Sequence, residues 1–250
     1  MARGLKPNRD VIKVGLCGFT IGAREYFETF PVLEVQQTFY EPPAPRTLVR
    51  WREQASDDFE FTIKAWQLIT HRSTSRTYRR LRTPLTDAER AQCGAFQTTP
   101  VVMNAWQTTL SCARLLRATA ILFQCPASFR AEPENITNMR KFFAAVERPE
   151  SVRFLWEPRG PWPDSVIAEL CGELDLIHVV DPFDRDAIPQ PLTYWRLHGI
   201  GSVYSVYTDD QLRTLIAKLP AAGDAYVMFN NIPRVRDAER FIALLRAGVS

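Results

Sequence analysis

LEVQQTFYEPP, residues Leu33 to Pro43, decides how the rest of the chain is read. Its first half alternates apolar and polar residues as a strand does, and Thr38, Phe39 and Tyr40 carry it to a turn at Pro42 and Pro43. At period two, Glu34, Gln36 and Thr38 share one face and Leu33, Val35 and Phe39 the other. A carboxylate, an amide and a hydroxyl on one strand face need polar company, because a buried charge without a partner is costly.

Outward from that stretch, strand-like segments recur at 12–18, 33–39, 59–66, 120–125, 152–157, 176–181, 193–198 and 225–230. Helical spacing fills most gaps, at 24–30, 45–56, 136–146, 164–174, 209–219 and 237–247, often after Asp, Asn or Thr where an N-cap is wanted. Eight β/α units in a chain of 250 residues predict a single (β/α)8 barrel of the TIM type. No GxGxxG follows the first strand, which weighs against a dinucleotide fold. The expected domain is one unit over 1–250, with its core at about 11–247 and a long insertion, 67–119, after strand three. Within that insertion Val102, Trp106, Leu110, Ala113 and Leu116 form an apolar helical stripe.

Hydrophobic residues at 46% and charged residues at 24% exclude a disordered chain, and no apolar run approaches the roughly 18 residues of a spanning helix. MARGLKPNRD at the N-terminus has charges but no apolar stretch after them, so a cytoplasmic protein without membrane partners is expected. Cys17, Cys93, Cys112, Cys125 and Cys171 lack zinc spacing and read as buried hydrophobes. A net charge of +3 does not by itself argue for nucleic acid.

The strand ends carry a resemblance. LEVQQTFYEPP, FEFTIKAWQLITH, ILFQCPASF, WEPRGPW, YWRLHG and AYVMFNN resemble, in order and spacing, the motifs of the YecE-like family of conserved proteins of unknown function. The Gln-Gln, Lys-Ala-Trp and Thr-Tyr-Arg-Arg variants look like an archaeal branch of it. The resemblance implies a TIM-type barrel with a polar pocket at the carboxyl ends of the strands, and no settled activity. It maps family positions onto Glu34, Thr38, Phe39, Tyr40, Lys64, Thr70, His71, Gln124, Pro126, Glu157, Arg159, Arg196, His198, Gly199, Phe229, Asn230 and Asn231. Gly160 stands where a His often follows in the family, so no role is carried over for that His.

Chemistry follows from side chain and position. Strands of a parallel barrel are covered on both faces and ordinarily read as apolar runs, yet here charged groups cluster at the carboxyl ends, the catalytic face of the fold. Glu34 and Glu157 are the expected acid/base pair, Lys64 an electrophile or a low-pKa amine, and His198 a proton shuttle. Arg159 and Arg196 suit a carboxylate or phosphate, while Thr38, Tyr40, His71, Gln124, Tyr207, Asn230 and Asn231 are expected to line the substrate site.

The expected function is an enzyme of hydrolase or lyase type acting on an anionic, phosphorylated or sugar-like small molecule. The alternative is a nucleic-acid-binding barrel resembling abasic-site endonucleases. Arg72, Arg76, Arg79, Arg80 and Arg82 would then hold a strand, with Tyr204 and Tyr207 stacking on it. No cofactor is read from the sequence, and a divalent ion at Glu34, Glu157, Asp181 and His198 lacks supporting ligand spacing. The segment Thr70 to Arg82 is expected to cross the mouth with its arginines turned partly inward. A solvated mouth makes Arg196→Ala and Glu157→Gln cheap, below about 2 kcal/mol each.

Overall fold

The computed structural model describes residues 11–247; the leader reading of residues 1–10 and the last three positions, 248–250, lie outside the described residues. Among the described residues, eight parallel strands close in sequence order into a barrel, each hydrogen-bonded to the next and β8 to β1. They are β1 (Ile12–Cys17), β2 (Val32–Val35), β3 (Glu60–Lys64), β4 (Ala120–Gln124), β5 (Arg153–Glu157), β6 (Ile177–Val180), β7 (Leu192–Leu197) and β8 (Asp224–Phe229). Helices α1 (Ala23–Thr29), α3 (Pro45–Gln54), α6 (Pro100–Leu116), α7 (Pro133–Ala145), α8 (Asp164–Leu174) and α9 (Asp209–Lys218) lie between strands and α10 (Arg234–Ala247) follows β8, with short helices α2 (Gln37–Tyr40), α4 (Gln67–Thr70) and α5 (Asp87–Ala91) in the loops.

Period two sorts the strand residues into two cores. Cys17, Val32, Leu122, Leu155, Val179, Tyr194, Tyr226 and Met228 fill the barrel, while the alternate positions, Leu33, Val35, Phe61, Phe123 and Trp156 among them, pack outward against the helices. Glu60 closes the amino-terminal end, taking an ion pair from Lys13 and a 2.6 Å hydrogen bond from the Tyr226 hydroxyl. The carboxyl end holds the polar residues.

The stretch Leu33 to Pro43 departs from its strand reading in its second half. β2 stops at Val35, and Gln37–Tyr40 forms a helical turn rather than the last third of a strand. The Thr38 hydroxyl donates toward the carbonyls of Val35 at 2.9 Å and Lys64 at 2.7 Å, tying the ends of β2 and β3 together. That tie removes Thr38 from the strand face shared by Glu34. β3 likewise ends at Lys64, two residues early, and α4 follows.

The interval 67–119 is built, not loose. Thr99 caps α6 by accepting from the Val102 amide, and the stripe Val102, Trp106, Leu110, Ala113 and Leu116 is buried as its spacing predicts. Gly94, at φ +84°, crosses the backbone of His71 so closely that a Cβ there would lie 2.3 Å from it. The Tyr78 hydroxyl donates to the His71 carbonyl at 2.9 Å and pins the segment from inside.

Candidate active site

Glu34, on the interior face of β2, lies opposite Arg196 on β7. The Arg196 guanidinium donates through Nε at 3.1 and 3.2 Å and through Nη2 at 2.9 Å to the Glu34 carboxylate, and through Nη1 to Glu157 on β5. Tyr194 adds a 3.0 Å hydrogen bond to Glu34, and Gln36 donates to the same carboxylate. All three charged residues are buried. Burial works against the Glu157 carboxylate, but Arg196 and then Arg159 outweigh it and hold its pKa at about 2. Glu157 and Glu34 in turn keep Arg196 protonated against its own burial.

Nearer the mouth, Arg159 donates through Nε to Glu157 at 2.8 Å and through Nη2 to His198 Nε2. A guanidinium has no lone pair to offer, so His198 Nε2 accepts and its proton sits on Nδ1. That nitrogen faces Asp181, 3.4 Å away, and the same carboxylate takes the His198 amide at 2.7 Å. Asp181 thus flanks the Nδ1 side of the ring and holds the His198 backbone, while the Arg159 contact sets the tautomer. Arg159, Asp181 and His198 line a cleft of about 410 Å³ together with Glu157, Trp162 and Arg185.

Lys64 ends β3 beside this network without an ion pair among the described residues. Its Nζ donates to the Gln124 amide oxygen at 2.7 Å and lies 3.5 Å from the Phe39 ring centre. Burial, and then the charge of Arg196, lower its pKa to about 7. A second cleft of about 270 Å³ is lined by Cys17, Gln36, Tyr40, Arg80, Asn230 and Arg234. Beside it, Tyr40 and Arg80 also border a larger cleft of about 600 Å³ with Trp51, Arg79 and Arg82.

The barrel therefore gathers Glu34, Glu157, Arg159, Arg196 and His198 into one network, sets the Lys64–Gln124 pair beside it and puts Tyr40 and Asn230 on the adjoining cleft. It does not bring the remaining candidates to the cavity. Thr38 is spent on two backbone carbonyls. His71 is buried, bonded to the Thr70 hydroxyl at 2.8 Å and set edge-on to Phe39. Tyr207 is 1% exposed, its hydroxyl accepting the Gly199 amide at 2.7 Å and its ring stacked on Phe183. Tyr204 is exposed, so the two rim tyrosines do not form one stacking surface. Asn231 is sealed inside, donating to Asp237 at 2.6 Å and to the Ser205 carbonyl at 3.0 Å.

Each nitrogen of Arg196 is engaged by Glu34 or Glu157, so the residue braces the barrel, while the Arg159 side chain stays partly exposed. Arg80 does reach the mouth, stacked 3.6 Å over Tyr40, whereas Arg72 turns outward to Glu134 at 3.6 Å. Sequence reasoning overlooked Arg185 and Arg234, and weighed Asp181 only as a metal ligand. The place of Asp181 and Arg185 directly after strand six, and of Arg234 at the start of the helix that follows strand eight, was the available signal. Gly160 has a structural reason: a Cβ there would lie 2.6 Å from the Phe129 carbonyl oxygen, so no side chain fits in this loop. Among the described residues, no group of three or more His, Cys, Asp or Glu side chains is gathered to hold a metal ion.

Residues 22–249 match the family described as "Protein of unknown function DUF72". The chain belongs to the DUF72 family. A 52-residue stretch of this DUF72 chain is 40% identical to the UPF0759 protein YecE of Escherichia coli K12, covering 21% of the chain and 19% of that relative's length. A crystal structure of a DUF72 family protein from Enterococcus faecalis V583 superposes with a TM-score of 0.71 at 18% identity, over 95% of this chain and 98% of that one. Another, from Thermotoga maritima MSB8, gives 0.67 at 17% identity over 94% and 99%. The barrel is shared more widely: a D-psicose 3-epimerase structure superposes at 0.59 with 10% identity, over 94% and 98% of the two chains. For the DUF72 chain these likenesses establish the closed barrel.

Proposed function

We propose that this DUF72 barrel is an enzyme that binds a small anionic molecule at the carboxyl end of its strands and moves a proton on it. The observation that carries the reading is the chain Asp181–His198–Arg159. A histidine held in one tautomer has its free lone pair covered by a guanidinium whose side chain is 38% exposed. A phosphate or carboxylate entering the cleft competes for that guanidinium, which suits the planar fork. Release of Arg159 bares His198 Nε2 as a base, and Asp181 stabilises the imidazolium that forms. Glu157, at a pKa of about 2, stays a carboxylate that holds the arginines and is not the proton donor.

The test is thermal unfolding with inorganic phosphate or sulfate. The parent protein is expected to melt higher as anion is added, and Arg159→Gln to lose most of that rise while keeping the parent's fold by circular dichroism. No rise in the parent at tens of millimolar anion would sink the reading.

The cleft of Arg79, Arg82, Trp51, Tyr40 and Arg80 favours a nucleic-acid strand as the competing ligand. Oligonucleotide binding that falls steeply with salt, and that depends on Arg79 and Arg82, would favour it.

A further inference from the structure

We propose that the Lys64 amine is a nucleophile that forms an imine with an aldehyde or ketone carried by the mouth's anionic ligand, an inference that rests on the preceding reading of the mouth. The geometry separates Lys64 from the other lysines described. Lys13 is paired with Glu60, Lys218 with Asp186 and the Pro182 carbonyl, and Lys141 is exposed. Lys64 is buried, and it meets the neutral Gln124 amide oxygen and the face of Phe39.

The local charge count explains why the amine is available. Glu34 and Glu157 are already balanced by Arg196 and Arg159, so a proton on Lys64 adds an uncompensated charge in a desolvated place. With a pKa of about 7 in place of 10.5, Lys64 carries roughly a thousandfold more neutral amine near pH 7 than an ordinary lysine. Neutral amine is the species that attacks a carbonyl.

Access runs through Gln124. Lys64 is level with Leu122 in the β3–β4 register, and Gln124 stands two residues nearer the mouth. Gln124 is half-buried, and its amide nitrogen donates to the Cys125 carbonyl at 2.7 Å. Imine formation there requires a ligand to displace the Gln124 side chain, which stands between the buried Nζ and the mouth.

The step balances without an oxidant or reductant. The Nζ lone pair forms a bond to the carbonyl carbon, the carbonyl oxygen takes up the displaced pair and the two protons that the amine nitrogen gives up, and it leaves as water when the C=N bond forms. Phe39 covers one side of the new imine from water.

The probes are glyoxylate, pyruvate and dihydroxyacetone phosphate, each with sodium cyanoborohydride at pH 7, which delivers hydride to the imine and leaves a stable secondary amine. Peptide mass mapping of the parent protein is expected to find Lys64 modified by at least one probe, about tenfold above Lys13, Lys141 and Lys218. Phosphate should suppress that labelling, and Lys64→Gln should abolish it while the other lysines react as before. Labelling spread over exposed Lys141 with none at Lys64, or none from any probe, overturns the proposal. If phosphate still stabilises the parent in that event, the anion reading stands without the imine; if it does not, both fall. Because the map is made on the parent protein, a poorly folding variant leaves the test intact.

Discussion

Arg196 at the end of β7 and Glu34 on β2 grip each other across the barrel interior, Nη2 to Oε1 at 2.9 Å, with neither residue more than 1% exposed. With Glu157 as third partner, they form an ion triad that the fold has removed from water.

Such a triad makes Arg196 expensive to remove. Arg196→Ala leaves two carboxylates facing each other in a dry interior, and the expected loss is roughly 3 to 5 kcal/mol in urea unfolding. This replaces the sequence expectation of a cost below about 2 kcal/mol, which assumed a solvated mouth. Combining Arg196→Met with Glu34→Gln and Glu157→Gln should recover part of the loss, since the charges then go together. A loss under about 1 kcal/mol for Arg196→Ala would mean that water reaches the triad.

Lys64 gives a signature in alkali. Its folded pKa is about 7 against 10.5 for an ordinary lysine, so between those values the unfolded chain binds the extra proton. Stability from this residue therefore rises with pH across that window, by at most about 1.4 kcal/mol per pH unit, and is flat below it. Buried thiols such as Cys125, whose pKa burial raises, pull the other way above their unfolded pKa. The difference between the parent and Lys64→Met isolates the lysine: the gap in unfolding free energy should change across pH 7 to 10. A constant gap would show that Lys64 is protonated throughout.

The histidines give the matching test in acid. Burial, and then nearby Lys64 or Arg185, lower His71 to about 3 and His178 to about 4. Above pH 5 both rings are neutral in the folded protein, so their imidazole NMR signals should show no protonation step of their own between pH 5 and 8. Below about 6.5 the unfolded chain takes up protons that the folded chain refuses, so both residues destabilise progressively as pH falls toward 3. His71→Phe and His178→Phe should each reduce that acid loss. A midpoint near 6.5 for either ring would contradict its burial.

The residues Glu34, Lys64, Gln124, Glu157 and Arg196 were legible as an inward polar set because period two is a local property of an extended chain. The same rule misplaced Thr38, since it assumes that the strand continues. Whether β2 runs past Val35 depends on the Lys64 carbonyl, 26 residues away, which captures the Thr38 hydroxyl. Tyr207 and Asn231 misled for a related reason. They lie in the loops after strands seven and eight, on the face where functional groups collect, but Gly199 and Asp237 draw them inward.

The sequence by itself determined the closed barrel, its strand order and the end at which charge collects, because hydrophobic period and strand count are written along the chain. The tertiary structure decided which charge holds which. Arg196 and Arg159 look alike in sequence, each near the end of a strand. Two carboxylates from β2 and β5 converge on Arg196 and seal it in, while Arg159 reaches the mouth and rests on His198. Partner choice depends on distances between strands that are remote in the chain, and those distances exist only once the barrel has closed.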